Sequence, residues 1–174
     1  MLTEKYNAGL SAIGGARTVD AVETALETAV AEMAAIKTNA QILADAKAAA
    51  KQAVNEAFAA YNEQDYTVDN WSALVKVKDD GLAAIEAAAK TDVAAEAGEA
   101  AIAAMAAVKN DATLLAEAKT AAKSELGTEK AKYSQSDYTI NWSVLEQAYN
   151  DGLTAIDASK TTSAVDTAKQ AAIA

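Results

Sequence analysis

Residues 65–74 read DYTVDNWSAL, and residues 137–145 read DYTINWSVL, which is one residue shorter between the threonine and the asparagine. The similarity continues upstream, where residues 43–51 match residues 115–123 at a shift of 72. Self-similarity at a fixed period is the sequence signature of a repeat architecture. The chain is therefore built from related units of 71 or 72 residues.

The N-terminal part of the chain carries the same pattern. Residues 6–13 read YNAGLSAI and match YNDGLTAI at residues 149–156, and Met33 then aligns with Met105. We interpret the chain as a fragment of a longer array that begins inside one repeat and ends inside another. The predicted repeats are a partial one at residues 1–39, a complete one at 40–111 and a third, incomplete at its end, at 112–174.

The composition favours helices throughout. Hydrophobic residues make up 52% of the chain but aromatic residues only 5%, so most of the apolar content is alanine, the strongest helix former. Proline, which breaks helices, is absent. We predict an all-α fold of tandem three-helix bundles, with three helices in each repeat that we name A, B and C.

Apolar residues at three- and four-residue steps place these helices. In the second repeat, helix A spans about residues 43–61, and helix B about residues 68–88. Helix C is clearest in the first repeat, where Val22, Leu26, Ala29, Met33 and Ile36 follow a heptad rhythm.

Thr67 is the predicted N-cap of helix B, since Tyr66 and Trp71 flank it at the spacing of a hydrophobic staple. The third repeat lacks one residue after Thr139, so the same cap cannot serve Trp142 at the same spacing. We expect the cap to move, because keeping the indole packed buries more area than keeping the cap.

Glycine recurs in the middle of helix B, at Gly9, Gly81 and Gly152, where it costs about 1 kcal/mol relative to alanine. We expect a neighbouring helix or ring to approach closely there. The alternative is a turn at Asp80–Gly81. In the first repeat, residues 14–15 are both glycine and are predicted to form the turn between helices B and C.

The connection from helix C to the next helix A leaves two possibilities. Thr38 and Gln41 have the spacing of a capping box, and in the next repeat Asn110 or Asp111 could cap. However, neither segment contains glycine or proline. We therefore favour a long helix, continuous or barely kinked, that joins successive bundles into a semi-rigid rod.

The composition excludes most types of catalytic site and metal site. Without His or Cys there is no imidazole catalysis, thiol chemistry or thiolate metal site, and no phosphate loop or nucleophile motif occurs, so we predict no enzyme, no cofactor and no metal. The formal charge of −10 disfavours nucleic-acid binding. No long apolar run predicts membrane insertion, and the first residues do not predict a signal peptide. Asp79 and Asp80 are interpreted as solvated surface rather than a catalytic pair.

Four aromatic residues are the candidate site. Tyr66 and Trp71, with their counterparts Tyr138 and Trp142, could form a platform on which sugars stack. The alternative, which we favour, is that these rings close one end of an alanine-rich bundle. Asn70 and Asn141 begin glycosylation sequons, but asparagine is also expected there for helix capping.

The recurring Tyr-Thr-x-x-Asn-Trp-x-x-Leu motif resembles the FIVAR family of surface-protein repeats. Tyr66, Thr67, Asn70, Trp71 and Leu74 match it, and the third repeat matches with one residue deleted. The resemblance implies three-helix bundles in modular exported proteins, often of Gram-positive bacteria. It therefore implies an extracellular or cell-wall-associated location, and it carries over no catalytic residue.

Three functions remain open. The leading hypothesis is a spacer or stalk whose partners are neighbouring domains of the same polypeptide. The second is an adhesin module that binds a glycan or a host protein. The third is a designed or intracellular coiled-coil scaffold, which is disfavoured by irregular differences between repeats, such as Ala57 against Glu129 and Phe58 against Lys130.

Overall fold

The computed structural model describes all 174 residues, and these form eight α-helices and one short 3-10 turn, with no strand. The all-α prediction is confirmed. None of the helices combines the length and the apolar character needed to cross a membrane. The helices are α1 (Leu2–Gly15), α2 (Val19–Ala34), α3 (Asn39–Ala59), α4 (Val68–Ala87), α5 (Thr91–Ala106), α6 (Asp111–Lys130), α7 (Trp142–Ala158) and α8 (Thr162–Ile173).

Two compact units make up the chain. The first contains residues 1–56 and 80–101, and the second contains residues 57–79 and 102–174. Helices α3, α4 and α5 each contribute residues to both units. In the nomenclature of the repeats, α3 and α6 are helices A, α1, α4 and α7 are helices B, and α2, α5 and α8 are helices C.

In the second unit, α6, α7 and α8 form a three-helix bundle in which each helix packs against the other two. Its buried core consists of Ala122 and Leu126 from α6, Ile156 from α7 and Val165 from α8. A single apolar stripe per helix faces this core, as the three- and four-residue spacing predicts. The core is small because alanine supplies much of each stripe.

Helices B and C approach each other closely at the same place in every repeat. A Cβ atom on the helix B glycine would lie no more than 2.6 Å from the Cβ of an alanine on helix C. The pairs are Gly9 with Ala29, Gly81 with Ala101, and Gly152 with Ala172. The predicted close approach is confirmed, and the alternative turn at Asp80–Gly81 is wrong because α4 runs through it.

Helix A holds the C-terminal end of helix B with two lysines four residues apart. The last carbonyl groups of a helix lack partners and carry partial negative charge, so ammonium groups stabilise them. In each of two repeats the first lysine donates a hydrogen bond to a carbonyl, and the second pairs with that residue's carboxylate. The contacts are Lys47 Nζ to Glu86 O (2.6 Å), with Lys51 on the Glu86 carboxylate, and Lys119 Nζ to Asp157 O (2.7 Å), with Lys123 on the Asp157 carboxylate.

The favoured continuous helix from C into the next A is wrong. Helix α2 ends at Ala34 and α3 begins at Asn39, while α5 ends at Ala106 and α6 begins at Asp111. Each break lasts four residues.

Side-chain caps explain these breaks. The backbone NH of Thr38 donates to Gln41 Oε1 (2.7 Å), and the NH of Gln41 donates to Thr38 Oγ1 (3.2 Å), which is a complete capping box. At the second break Asn110 Oδ1 accepts from the NH of Thr113 (2.9 Å). These polar side chains satisfy the helix N-termini, so a new helix starts without glycine or proline.

The predicted turn at residues 14–15 is also displaced. Helix α1 continues through Gly15, and neither glycine adopts a positive φ angle. The chain turns at Ala16 and Arg17 instead, because Thr18 caps α2 by accepting a hydrogen bond from the NH of Ala21 (3.2 Å). The two glycines therefore belong to α1, and the Thr18 cap marks the start of α2.

Candidate functional site

In the second repeat, four rings form one cluster where helix A ends and helix B begins. The rings are Phe58, Tyr61, Tyr66 and Trp71, and we call them the aromatic cluster. Trp71 lies 5.4 Å from Phe58 and 5.9 Å from Tyr66 between ring centroids, and Tyr66 lies 6.2 Å from Tyr61. These are ordinary distances for tilted and edge-on aromatic pairs.

The capping geometry of α4 brings Tyr66 and Trp71 together. The NH of Asn70 donates to Thr67 Oγ1 (3.2 Å), and the NH of Trp71 donates to the Thr67 carbonyl (2.8 Å). The predicted cap and staple are confirmed. All four rings are half-buried. Burial is the main cause that raises the pKa of Tyr66 above its ordinary value of 10.0, and electrostatic repulsion by Tyr61 and Asp65 adds to it. The four rings therefore pack against one another in tilted and edge-on pairs, each of them half-buried.

The equivalent end of the third repeat is more open. Tyr138 pairs with Tyr133 at 5.7 Å, and their side chains are 40% and 39% exposed. Trp142 is half-buried. Both tyrosines line a groove of about 530 Å³ together with apolar residues of all three helices, among them Leu126, Leu145 and Ile173.

The cap of helix B does move in the third repeat, but no side chain replaces it. Helix α7 begins at Trp142, and the preceding Asn141 makes no capping hydrogen bond through its side chain. Thr139 lies in the turn before the helix. Trp142 remains at the bundle despite the one-residue deletion. Ile140 is 89% exposed, much like the aligned Val68 at 82%.

An aromatic ring and a lysine exchange places between the two repeats. In the second repeat Lys78 Nζ lies 4.7 Å from the ring centroid of Phe58. In the third, Lys130 aligns with Phe58 and Tyr149 aligns with Lys78, and Lys130 Nζ lies 4.4 Å from the Tyr149 centroid. Each repeat therefore keeps a cation–π pair in the same place with its members reversed. The difference between Phe58 and Lys130 is therefore compensated by the opposite difference between Lys78 and Tyr149, and the two positions do not vary independently.

Asn70 has a structural partner. Its side-chain amide is half-buried and donates to the carbonyl oxygen of Lys109 (2.8 Å), at the start of the link into α6. The Lys109 ammonium in turn pairs with Glu117 on α6 (2.7 Å). A glycan would have to be attached to this same half-buried nitrogen, so the structure disfavours glycosylation of Asn70.

The other link carries the same ion pair. Lys37 pairs with Asp45 across the break before α3 (2.5 Å), and these residues align with Lys109 and Glu117. The sequence analysis missed both pairs. A search for opposite charges that recur together at a shift of 72 would have found them.

Neither the acidic residues nor the comparisons assign chemistry. Asp79 is exposed and pairs with Lys78 (3.1 Å), and Asp80 is exposed beside it. No group of three or more carboxylates is placed to hold a metal ion.

The chain matches no protein-family model, no curated protein and no solved structure.

Proposed function

We propose that this chain is a structural spacer, a repeat region that separates other domains of a larger cell-surface or secreted protein and performs no catalysis. The observation that carries the proposal is the recurrence of packing contacts at the same register. The close glycine–alanine approach occurs in three repeats. The contact of two helix A lysines with the C-terminal end of helix B occurs in two. Residues that recur with the repeat are therefore used to hold helices together.

Contacts between neighbouring repeats support the same proposal. Within the second unit, Asn70 of one repeat reaches Lys109 at the link, and Lys109 reaches Glu117 of the next repeat. A crevice of about 160 Å³ at this link is lined by Thr67 of one repeat and by Leu114 and Thr161 of the next. A spacer requires each repeat to bind its neighbour in this way.

The resemblance of the Tyr-Thr-x-x-Asn-Trp-x-x-Leu motif to FIVAR repeats supports a location outside the cell or at the cell wall. The net charge of −10 is consistent with a highly solvated surface that stays soluble at high local concentration. The partners on this proposal are the flanking domains of the same polypeptide.

The test is to insert a second copy of residues 40–111 and to measure the maximum dimension by small-angle X-ray scattering. A bundle of 20-residue helices is about 30 Å long, so each inserted repeat should add about 30 Å. A globular chain of the same added mass would grow by only a few ångströms, because the radius of a compact chain rises with a low power of its length. A compact particle would contradict the spacer function.

The groove of the third repeat favours one alternative, a module that binds a glycan or a host protein. Tyr133 and Tyr138 are both well exposed there and edge-on to each other. On this alternative, Tyr138→Ala abolishes saturable binding on a glycan or plasma-protein array. Val68→Ala is the control, because Val68 is an apolar residue that is 82% exposed and lies outside the groove. Equal binding by both variants would exclude the groove as the site.

A further inference from the structure

The first and third repeats contain the same two-helix hairpin in different surroundings. Helices α1 and α2 align with α7 and α8, and both hairpins close on the glycine–alanine contact. Their burial differs. Val22 is 37% exposed, while the aligned Val165 is 2% exposed. Ile13 is half-buried, while the aligned Ile156 is fully buried.

A third helix accounts for the burial in the third repeat. Ala122 and Leu126 of α6 form one buried core with Ile156 and Val165. Lys119 of α6 also caps the end of α7. Ile156 and Val165, which align with Ile13 and Val22, therefore lie on the face of α7–α8 that α6 covers.

Helix A lies in the equivalent position in the first unit as well. Ala50 of α3 contacts α5 at Gly98, where a Cβ atom on the glycine would lie 3.3 Å from the alanine Cβ. Lys47 caps the end of α4, and Val54 of α3 is fully buried. Two repeats therefore show the same kind of helix on the same face.

The open face of α1–α2 is defined by Tyr6, Leu10, Ile13, Val22 and Leu26. Three of these side chains are about half exposed: Tyr6 at 51%, Leu10 at 50% and Leu26 at 51%. Large apolar side chains that are exposed together on one face of a hairpin are typical of an interaction site.

We propose that the open face binds one amphipathic helix of the helix A type, with small and branched apolar residues at the positions of Leu115, Ala118, Ala122 and Leu126. Such a helix lays its apolar stripe into the groove between α1 and α2. The proposal is independent of the spacer function, because it rests on the burial and the side-chain contacts of the aligned hairpins.

The cation–π exchange specifies one further position of this partner helix. Tyr6 aligns with Tyr149, whose ring is covered by Lys130. In the second repeat, the residue that aligns with Lys130 is Phe58, and it faces Lys78 rather than a tyrosine. The partner helix therefore carries a lysine or arginine opposite Tyr6.

Leu26 specifies a second position. It aligns with Lys169, which pairs with Glu125 of α6 (2.9 Å). Glu125 aligns with Ala53 of α3. A glutamate opposite Leu26 would lose its ion pair and face an apolar side chain, so the partner helix carries an apolar residue there.

The test adds such a helix to the full chain. Residues 110–143, which supply α6 and its natural loop, are joined ahead of Met1, because Met1 aligns with Val144. The appended copy carries Glu125→Leu and keeps Lys130. Hydrogen exchange of the amides at residues 9–13 of α1 should slow by about ten-fold or more, since a third helix suppresses local opening.

Two matched variants of the appended copy check the mechanism. Leu126→Asp in the appended copy should abolish the added protection, and Lys130→Glu should reduce it. Equal exchange with the designed helix and with the Leu126→Asp helix would overturn the proposal.

Sedimentation of the unmodified chain tests the competing occupant, a second copy. A monomer supports the proposal. A dimer that Leu10→Asp converts to a monomer would show that a second copy covers the open face, and would overturn it. Neither outcome changes the length increment per repeat, so the spacer function is tested separately.

Discussion

The ammonium of Lys130 lies over the ring of Tyr149, and the aligned residues Phe58 and Lys78 form the same contact with the ring and the cation exchanged. A cation within about 6 Å of a ring centroid is attracted by the negative face of the ring. Two lysines at these positions would repel each other instead. The residues at the two positions are therefore coupled, and changing one alone should be costly.

Phe58→Lys tests this coupling in the second repeat. The variant loses the contact with Trp71 and places two ammonium groups together, so it should destabilise the protein by about 2 kcal/mol, less than a fully buried Phe loss. Adding Lys78→Tyr recreates the pairing of the third repeat and should recover about 1 kcal/mol. Chemical denaturation of the two single variants and the double variant gives the coupling energy. Additive effects would show that the exchange is accidental.

The close approach of helices B and C predicts the effect of filling a glycine. Gly81→Ala would force the new methyl group into Ala101, at a cost of about 1–3 kcal/mol by overpacking. Gly14→Ala is the control, because no packing neighbour from another part of the chain lies within 4 Å of a Cβ there. That variant should be neutral or stabilise by up to about 1 kcal/mol through its helix propensity.

Thermal unfolding compares the two glycine variants directly. A similar effect of both substitutions would show that the recurring glycine serves no packing purpose. Adding Ala101→Gly to Gly81→Ala should restore part of the stability, because it removes the methyl group that clashes.

Local sequence signals predicted the helices and their packing faces well. The period of three and four residues placed helices A and B of the second repeat at 43–61 and 68–88, close to the observed Asn39–Ala59 and Val68–Ala87, and the staple spacing placed Tyr66 against Trp71. These features depend on residues close in sequence or on one face of one helix. For that reason the pattern of a single segment is sufficient to predict them.

The links and the open end of the third repeat were harder to predict. A continuous helix from C to A was favoured because glycine and proline are absent, but the capping side chains of Thr38 and Asn110 outweigh helix propensity there. The exposure of Tyr138 depends on which other helices reach it. No local pattern contains that information.

The capping box predicts where the chain is sensitive to substitution at a link. Thr38→Ala removes one half of the reciprocal pair and should cost about 1 kcal/mol. Lys37→Ala removes an ion pair whose side chains are both more than half exposed, and should cost less than about 0.5 kcal/mol. Denaturant titration distinguishes the two. A larger effect of Lys37→Ala would mean that the recurring ion pair, and not the cap, stabilises the link.

The contact of Lys47 and Lys51 with Glu86, at the C-terminal end of α4, makes the stability of the protein depend on pH. The hydrogen bond and charge of Lys51, with a further charge from Lys47, lower the pKa of the Glu86 carboxyl below its ordinary value of 4.5. Because the folded-state pKa is depressed, the stabilisation is fully present above pH 4.5 and is lost as the pH falls through the lower folded value.

Glu86→Gln should therefore lower the melting temperature at pH 7 and make no difference at a pH well below the folded pKa. The difference at pH 7 should shrink in 0.5 M salt, about a 4 Å Debye length, because both side chains of the pair are substantially exposed. Glu23→Gln, an exposed position on α2, is the control and should not show this pattern. An effect of Glu86→Gln that persists unchanged into acid would mean that the carboxylate acts through its packing rather than its charge.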